Sequence, residues 1–499
     1  MKRSLALILA ALLLMSATVS CSDNGANSET EPETVSTNSG ETAGEATEPD
    51  AEAETEEETD NNVRSWEGLT FDGQEINIVG RTEATYAIDF FAEEYTGEAI
   101  NDAVYSRNAK VEDDLEVMLV YENGSDDYNT FHSTIQNSVS AGDGAYDIVS
   151  SYAYFGASMS LENLFTNLHE LPNVELSNTW YNQSFVNDMT IDGCLDFIIG
   201  DLTLTATDRM FITFLNKDLS ANFIPDTNLY DVVYEGKWTI DYLSEIVSSI
   251  YEDSDGNGKK TPADTYGFAF NTGSVPTDGF ITSLGINVAS RDAEGNIVIT
   301  LFDDNANTAF EKLTELVRNN EGTALNMDQV NMFIENRAML IMECANIAKY
   351  RLRDFDSDYG VLPLPKLTEA QEKYLTTSQD AYNLVSVTTT CKNFEATGAA
   401  LEYLSALSQS DVYPTYFETT FQKQYMRSEE DSVMFDYIRD GLTFNVGVVY
   451  SNSIANPAHL FRNCISDNTS YATAYKKNSK VYSKSLDKFL NKYAEKSGE

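Results

Sequence analysis

The sequence Ile76-Asn77-Ile78-Val79-Gly80 alternates apolar and polar residues and ends in glycine, which is typical of a first strand that enters a loop. Residues 101–114 then follow a helical pattern, and residues 116–121 predict a second strand. A further helix is predicted over 133–141, and the apolar strand Tyr146-Asp147-Ile148-Val149-Ser150 comes next. Helices and strands that alternate in this way predict βαβ units and a parallel sheet.

The loop after Val149 is where a ligand site is expected, because ligands gather at the carboxyl ends of the strands in such sheets. This loop reads Ser151-Tyr152-Ala153-Tyr154-Phe155-Gly156 and is rich in aromatic rings. An ordinary packing role within its own half of the protein is the alternative for each tyrosine.

The alternation continues through the rest of the chain. Thr239 is a plausible N-cap for a helix that runs to Tyr251, with apolar groups on one face. Strands are predicted at 194–199, 210–215, 266–270, 338–342 and 359–361, and further helices at 305–319, 327–335 and 396–407.

Residues 1–20 have the pattern of an export signal. Lys2 and Arg3 precede an apolar run that is too short to span a bilayer, and small residues then lead to Cys21. This order resembles a bacterial lipobox, in which the cysteine thiol receives a diacylglycerol and becomes the new N-terminus. Ordinary secretory cleavage at the same point is the alternative.

The following segment predicts a disordered acidic tether over residues 21–65. Residues 22–62 contain Asp, Glu, Ser, Thr, Ala, Gly and Pro but no Lys, Arg or aromatic residue. Such a composition buries too little apolar surface to offset chain entropy. The protein is therefore expected to be a globular cargo held outside the cell.

The remainder, residues 63–499, is large for one hydrophobic core and predicts two lobes or more. The whole chain carries a net charge of -48, and residues 22–62 hold fourteen of its 80 acidic groups. Without these and the two basic residues of the leader, 66 acidic groups face 30 basic ones, a net charge near -36. A surface this acidic disfavours nucleic acid and anionic lipid as partners.

Four cysteines lie beyond Cys21, at spacings that give no CxxC pair and disfavour a metal cluster. We predict buried free thiols, although disulfides are permitted outside the cytoplasm. The four are Cys194, Cys344, Cys391 and Cys464.

Several segments together resemble the extracellular solute-binding proteins of family 1, the lipoprotein substrate-binding components of carbohydrate ABC importers. Beyond the lipobox and tether, the segments that carry the resemblance keep their order over most of residues 70–450. They are residues 144–149, 214–219, 236–239, 264–268, 333–339 and 359–366.

This resemblance implies an α/β, two-lobe periplasmic-binding-protein-like fold of type II, with hinged lobes and a ligand cleft between them. The first lobe would comprise residues 66–200 and 345–392, and the second residues 201–344 and 393–499. Closure of the lobes on a small polar solute, which in this family is a carbohydrate, would be the event that the permease subunits recognise. The protein would be a monomer on the outer face of the bacterial cytoplasmic membrane, with no required cofactor.

The resemblance also implies which side chains line the cleft. Sugars expose apolar C–H faces and many hydroxyls, so their sites combine flat rings with carboxylates and amides. Trp180 is another aromatic candidate for the cleft, although burial under the first lobe is its alternative. The implied ligand contacts are Tyr152, Tyr154, Phe155, Asp201, Thr203, Glu343 and Asn346, with Arg81 and Tyr382 beside them.

An acidic loop over residues 253–264 fits the pattern D-x-D-x-N-G with a carboxylate at its twelfth place. Asp rather than Glu at that place, and a strand rather than a helix afterwards, depart from an EF-hand. A structural Ca²⁺ is one interpretation, and a solvated loop of Asx-turns is the other. The predicted ligands are Asp253, Asp255, Asn257, the carbonyl of Lys259, and Asp264.

An exported enzyme is the main rival. The three histidines are scattered, and neither a nucleophile elbow nor Walker spacing is present. A glycan-active hydrolase needs only two carboxylates, which this acidic chain supplies in excess. A peptide-binding, metal-binding or sensory lipoprotein of the same fold is the second rival, although the lack of clustered His or Cys disfavours the metal version. We predict a non-enzyme.

Overall fold

The structure is a computed structural model that describes residue 66 and residues 68–272, 276–353, 355–422 and 428–497. The predictions for the leader, for Cys21 as the lipid anchor and for the tether lie outside the described residues. In chain order the strands are β1 (Gln74–Gly80), β2 (Val117–Asn123), β3 (Ile148–Tyr152), β4 (Phe211–Asn216), β5 (Tyr251–Glu252), β6 (Thr265–Phe270), β7 (Ala289–Arg291), β8 (Ile297–Ile299), β9 (Thr323–Leu325), β10 (Ala338–Cys344), β11 (Tyr359–Leu362) and β12 (Asn383–Val387).

The α-helices connect these strands and close the chain. In order they are α1 (Ala84–Ala87), α2 (Ala99–Leu115), α3 (Tyr128–Ala141), α4 (Ala153–Met159), α5 (Gln183–Met189), α6 (Leu204–Asp208), α7 (Lys217–Phe223), α8 (Leu229–Tyr234), α9 (Ile240–Ser248), α10 (Pro276–Ser283), α11 (Asp304–Thr314), α12 (Gln329–Ile334), α13 (Ile347–Tyr350), α14 (Phe394–Leu407), α15 (Tyr413–Tyr416), α16 (Glu429–Asp440), α17 (Val446–Val449), α18 (Ala458–Asp467) and α19 (Tyr471–Ser497).

The first sheet has the order β12-β3-β1-β2. β1 runs parallel to both β2 and β3, which confirms the βαβ units predicted for residues 76–150, and β12 is antiparallel to β3. Helices α2 and α3 make the crossovers, and Asp127 caps α3 by accepting from the backbone N–H of Thr130. This arrangement places the carboxyl end of β3 beside the start of β12.

The second sheet has the order β11-β4-β10-β6-β5, with β9 paired to β6. β10 is parallel to β6 and antiparallel to β4, so the sheet is mixed. Every residue of β4 and β6 is buried, because helices cover both faces of a sheet of this kind. The chain enters this sheet at β4 and leaves it after β11.

Each sheet has its own buried apolar cluster, and the described residues therefore form the two-lobe α/β fold predicted from the sequence. Helix α14 was predicted to lie in the second lobe, but Ala396 to Leu407 pack in the cluster of the first sheet. An apolar helix face can pack against either sheet, so the periodicity of the sequence does not predict which lobe contains this helix. Residues 345–367 were predicted to lie in the first lobe, but β11 pairs with β4 of the second sheet, and Leu352 and Leu364 pack in the cluster of that sheet.

Helix α19 joins the two clusters. Tyr471 and Tyr482 pack with the second sheet, whereas Phe489 and Tyr493 pack with the first. Near its end Lys496 forms an ion pair with the fully buried Asp196.

The strand predicted at 194–199 is wrong as a regular strand. Its residues are extended and buried, but they pair only through isolated bridges such as that between Ile198 and Val385. The helix predicted from Thr239 to Tyr251 ends earlier, at Ser248, because Tyr251 pairs with Tyr266 in β5 and β6. Thr239 is its N-cap, as predicted, and accepts from the N–H of Tyr242.

The four cysteines of the described residues are buried free thiols, as predicted. Within the described ranges, no helix combines the length and the apolar character that a bilayer span requires.

Candidate functional site

The residues predicted as a loop after β3 form the first turn of α4, and this turn lies against the segment that returns from the second sheet to β12. The backbone N–H of Ala153 donates to the carbonyl of Tyr382 (2.9 Å), and that of Tyr154 donates to the carbonyl of Asp380 (3.2 Å). Two chain segments more than 200 residues apart are therefore fixed side by side at the carboxyl end of β3. This is the place where the sequence predicts a ligand site.

Tyr154 connects this turn to the end of the chain. Its hydroxyl donates to Oδ1 of Asn456 (3.1 Å), and its ring stacks on His459 with centroids 5.9 Å apart and planes 10° apart. His459 is on α18, which packs with the second sheet. Tyr154 thus contributes to the contact between elements of both lobes.

A cavity opens beside Tyr154 and draws its walls from both lobes. Phe211 of β4, Ile281 of α10 and Val448 of α17 supply apolar surface. The polar residues that line it are Tyr154, Asp278, Thr377, Ser378, Gln379, Asp380, Ser451 and His459.

The cavity contains two carboxylates that burial disfavours in their charged form. Desolvation raises the pKa of Asp278 to about 7, and the nearby Asp380 adds to this, whereas Arg462 opposes it. Arg462 donates to Oδ2 of Asp278 at 2.7 Å. Burial likewise raises the pKa of Asp380, and Arg462 and Arg209 partly offset that rise. Burial and Arg462 lower the pKa of His459 to about 4, so its imidazole is neutral at pH 7.

A layer of stacked cationic and aromatic groups lies next to the cavity. The guanidinium carbon of Arg81 is 3.2 Å from the ring centroid of Tyr86 and 5.0 Å from that of Tyr152. Arg209 donates to the hydroxyl of Tyr86 (2.7 Å) and to Oε1 of Gln379 (3.1 Å). This layer ties the loop after β1 to the crossover before β4 and to the return crossover.

A buried polar cluster contacts the segment that carries Tyr86. Asp89 is fully buried, and its carboxylate accepts from the N–H and hydroxyl of Thr205 (3.1 and 2.7 Å) and from Nδ2 of Asn383 (2.9 Å). Asn383 also donates to the carbonyl of Tyr86 (2.8 Å). Asp89 therefore joins the segment of Tyr86 to the crossover before β4 and to the start of β12, and we name Asp89, Thr205 and Asn383 the crossover cluster.

Of the predicted site residues, Tyr154 lines the cavity, and Arg81 and Tyr152 lie in the adjoining layer. Phe155 is in the same turn as Tyr154, but its ring stacks on Tyr128 with centroids 3.9 Å apart. Tyr382 is buried, and its ring packs edge-on against Phe444 in the core of the first lobe. Only its backbone contributes to the site.

The residues predicted from the first crossover turn away from this cavity. The hydroxyl of Thr203 donates to the carbonyl of Gly200 and accepts from its N–H, so it closes the crossover turn. Asp201 lines a separate cavity with Trp180 and Arg439 and accepts from Nε2 of Gln409 (2.9 Å). Burial raises the pKa of Asp201 to about 6. Trp180 is buried in the first lobe, as its alternative predicts.

Glu343 lies near the end of β10 and Asn346 follows the strand, but the structure gives both of them local partners. Glu343 accepts from Nε2 of Gln329 (2.6 Å) and lines a separate surface pocket. Asn346 is buried, and its backbone N–H donates to the carbonyl of Asp208 (3.0 Å).

Sequence reasoning missed Tyr86, Arg209, Asp278, Asp380 and His459. Two of them had a usable signal. Arg209 directly precedes the predicted strand at 210–215, and Asp380 lies two residues before the predicted Tyr382. The others come from segments that only long-range packing brings together.

The acidic loop folds into a compact turn. Asp253, Asp255 and Asp264 each offer a carboxylate oxygen, and these atoms all lie within 4.8 Å of one another. Asp264 is fully buried, and its Oδ1 has no hydrogen-bond partner. Oδ1 of Asn257 accepts from the N–H of Lys259 (2.7 Å). The arrangement has the hard oxygen ligands that Ca²⁺ prefers.

No family model matches this chain, and no curated protein matches it. Solved structures do match it, at low sequence identity. One is a cyclic alpha-maltosyl-1,6-maltose binding protein from Arthrobacter globiformis, with a TM-score of 0.57 and 13% identity over 83% of this chain and 99% of that one.

Two further structures are similar over the same extent. The GacH receptor of Streptomyces glaucescens GLA.O, solved without ligand and with acarbose and an acarbose homolog, has a TM-score of 0.51 and 13% identity over 83% of this chain and 99% of that one. A family 1 extracellular solute-binding protein from Bifidobacterium longum subsp. infantis has a TM-score of 0.53 and 12% identity over 84% of this chain and 100% of that one. These likenesses confirm the predicted fold, that of the two-lobe solute-binding proteins.

Proposed function

We propose that this protein is an extracytoplasmic solute-binding protein that captures a small carbohydrate and delivers it to an ABC importer. The observation that carries the proposal is the cavity beside Tyr154, whose walls come from both lobes. It combines two rings, those of Tyr154 and His459, with the carboxylates of Asp278 and Asp380. Rings suit the C–H faces of a sugar, and carboxylates accept from its hydroxyls.

The structural neighbours support the carbohydrate class, because two of them bind acarbose or a cyclic maltosyl-maltose. A solute held between the lobes would interact with both walls only when they are close together, so it would favour the closed arrangement. The permease subunits would then distinguish loaded from empty protein by the position of the lobes.

A panel of mono- and oligosaccharides in a thermal-shift assay tests this function. A ligand at about 100 times its Kd adds about 2.7 kcal/mol to the free energy of unfolding. For some 430 folded residues this is a rise of about 3 °C in melting temperature. Failure of every carbohydrate to shift the transition would refute the proposal, as would release of reducing sugar from an oligosaccharide.

The proposal places the protein on the outer face of the cytoplasmic membrane, held there by lipid on Cys21 and by the acidic tether. The net negative charge supports a role without nucleic acid. Labelling of cells with a radioactive fatty acid tests the anchor: label should appear in the parent protein and be absent from Cys21→Ser. An unlabelled parent protein would contradict it.

A structural Ca²⁺ in the acidic loop is the second part of the proposal. The unpartnered Oδ1 of the buried Asp264 supports it, because a buried carboxylate oxygen without a hydrogen bond is unfavourable unless a cation or proton occupies it. The ion would join the strand β6 to the loop before it. Its role would be stability rather than transport.

Millimolar calcium is expected to raise the melting temperature of the chelator-treated protein by about 3 °C. The double variant Asp253→Ala, Asp255→Ala should lose this rise. Asp292→Ala is the matched control, because Asp292 also accepts from backbone N–H groups in a tight turn but belongs to no carboxylate cluster among the described residues. It should keep the full calcium effect. No effect of calcium on the parent protein would contradict a bound ion.

A further inference from the structure

We infer that the cavity beside Tyr154 selects uncharged or positively charged carbohydrates and excludes those that carry a carboxylate. The inference rests on the proposed function and adds the charge of the solute. It depends on which hydrogen-bonding groups the protein leaves open toward the cavity.

Asp278 supplies the first open acceptor. Its Oδ2 accepts from Arg462 at 2.7 Å, but its Oδ1 is buried and has no hydrogen-bond partner. A buried acceptor of this kind is unfavourable unless a donor reaches it. A sugar hydroxyl or an ammonium group would provide that donor, whereas a carboxylate would not.

Asp380 supplies the second open acceptor. Its backbone carbonyl accepts from Tyr154, but its side chain accepts no hydrogen bond from any residue that the structure describes. Asp380 is close enough to Asp278 for its charge to raise the energy of the charged form of Asp278. Two open carboxylates on one cavity wall attract hydroxyl and amino hydrogens.

The cationic groups near the cavity are already engaged. Arg209 donates to both Tyr86 and Gln379, and Arg81 is stacked on Tyr86 and donates to the carbonyl of Ala381. Arg462 is paired with Asp278. No lysine or arginine is among the described residues that line the cavity.

Above pH 7, where Asp278 is ionised, an anionic solute would meet the carboxylate of Asp380 and that of Asp278, of which only the second is paired with an arginine, Arg462, outside the cavity lining. Like charges a few ångströms apart in a partly desolvated site repel strongly, and such juxtapositions exclude the wrong partner. The neutral imidazole of His459 supplies no compensating charge. A neutral solute instead satisfies both acceptors.

Matched pairs of sugars test the inference by calorimetric titration above pH 7, where Asp278 is ionised. The probes are glucose with glucuronate, galactose with galacturonate, and cellobiose, maltotriose, chitobiose and digalacturonate as oligosaccharides. The Kd of the neutral or amino sugar that binds should be lower by a factor of about 100 or more than the Kd of the uronate of the same stereochemistry. Asp278→Asn and Asp380→Asn should each narrow this ratio by about tenfold or more, because the amide keeps an acceptor oxygen and removes the charge.

Asp201→Asn is the control variant. Asp201 is a carboxylate of similar burial that lines a separate cavity, so its replacement should leave the ratio unchanged. A uronate that binds as tightly as its neutral partner would overturn the inference and leave the proposed function standing. Absence of binding by every sugar would instead remove the proposed function and the inference with it.

Discussion

Replacement of Tyr154 by alanine is expected to weaken binding of the captured carbohydrate by about 10- to 100-fold. Tyr154 lies in the first turn of α4, and its ring lines the cavity where it stacks on His459. Aromatic residues at the centre of a binding site commonly account for about 2 kcal/mol or more when truncated. The variant also loses the hydrogen bond to Asn456, which contributes to the contact between the lobes.

Two variants of the same turn separate these contributions. Tyr154→Phe keeps the ring and removes only the hydroxyl, so it should lose less affinity than the alanine variant. Phe155→Ala removes a ring that stacks on Tyr128 and meets the ring of Tyr154 edge-on but lies outside the cavity lining, so its effect should be smaller than that of Tyr154→Ala. Calorimetric Kd values for the three variants check this order. A Phe155→Ala effect as large as that of Tyr154→Ala would show that the solute binds elsewhere.

Asp89→Ala is expected to lower the free energy of unfolding by about 3 kcal/mol or more. The variant leaves the N–H and hydroxyl of Thr205 and the amide of Asn383 buried without their acceptor. Each buried donor without a partner is unfavourable by about 1–3 kcal/mol. For a protein of this size the melting temperature should fall by about 3 °C or more. Asp113→Ala, at an exposed position of α2, should change it little.

Asp89 should also make the free energy of unfolding depend on pH. Burial raises the pKa of Asp89 to about 7 in the folded protein, against about 4 in an unfolded chain. Between these values the folded state binds more protons than the unfolded state, so this group lowers stability as the pH rises from 4 to 7. Asp89→Asn should remove that contribution and keep an acceptor for Thr205. Identical pH profiles for the parent and the Asn variant would contradict a raised pKa.

The first lobe is predictable because its pattern is local. Strand and helix periods in residues 76–150 indicate βαβ units, and the rule for parallel sheets then locates Tyr154 at a carboxyl strand end. The segment 194–199 shows where this reasoning stops. An apolar run indicates burial, but only the neighbouring chain decides whether a regular ladder forms, and Ile198 has just one bridge.

The rest of the site depends on contacts between distant segments. Asp278, Asp380 and His459 belong to three elements with different neighbours in sequence, and no local pattern joins them. Asp201 and Thr203 are at the crossover, as expected, but the direction of each side chain depends on the turn at Gly200. Tyr382 has the right position in the chain and the wrong orientation, because its ring completes the core beside Phe444.

The most direct measurement is a calorimetric titration of the purified protein with the neutral oligosaccharides, followed by chromatography of the same sample after a day. We expect saturable binding of one sugar per protein, with the sugar recovered intact. Recovery of shortened oligosaccharides, or no heat of binding with any member of the series, would contradict a binding protein that closes on a carbohydrate.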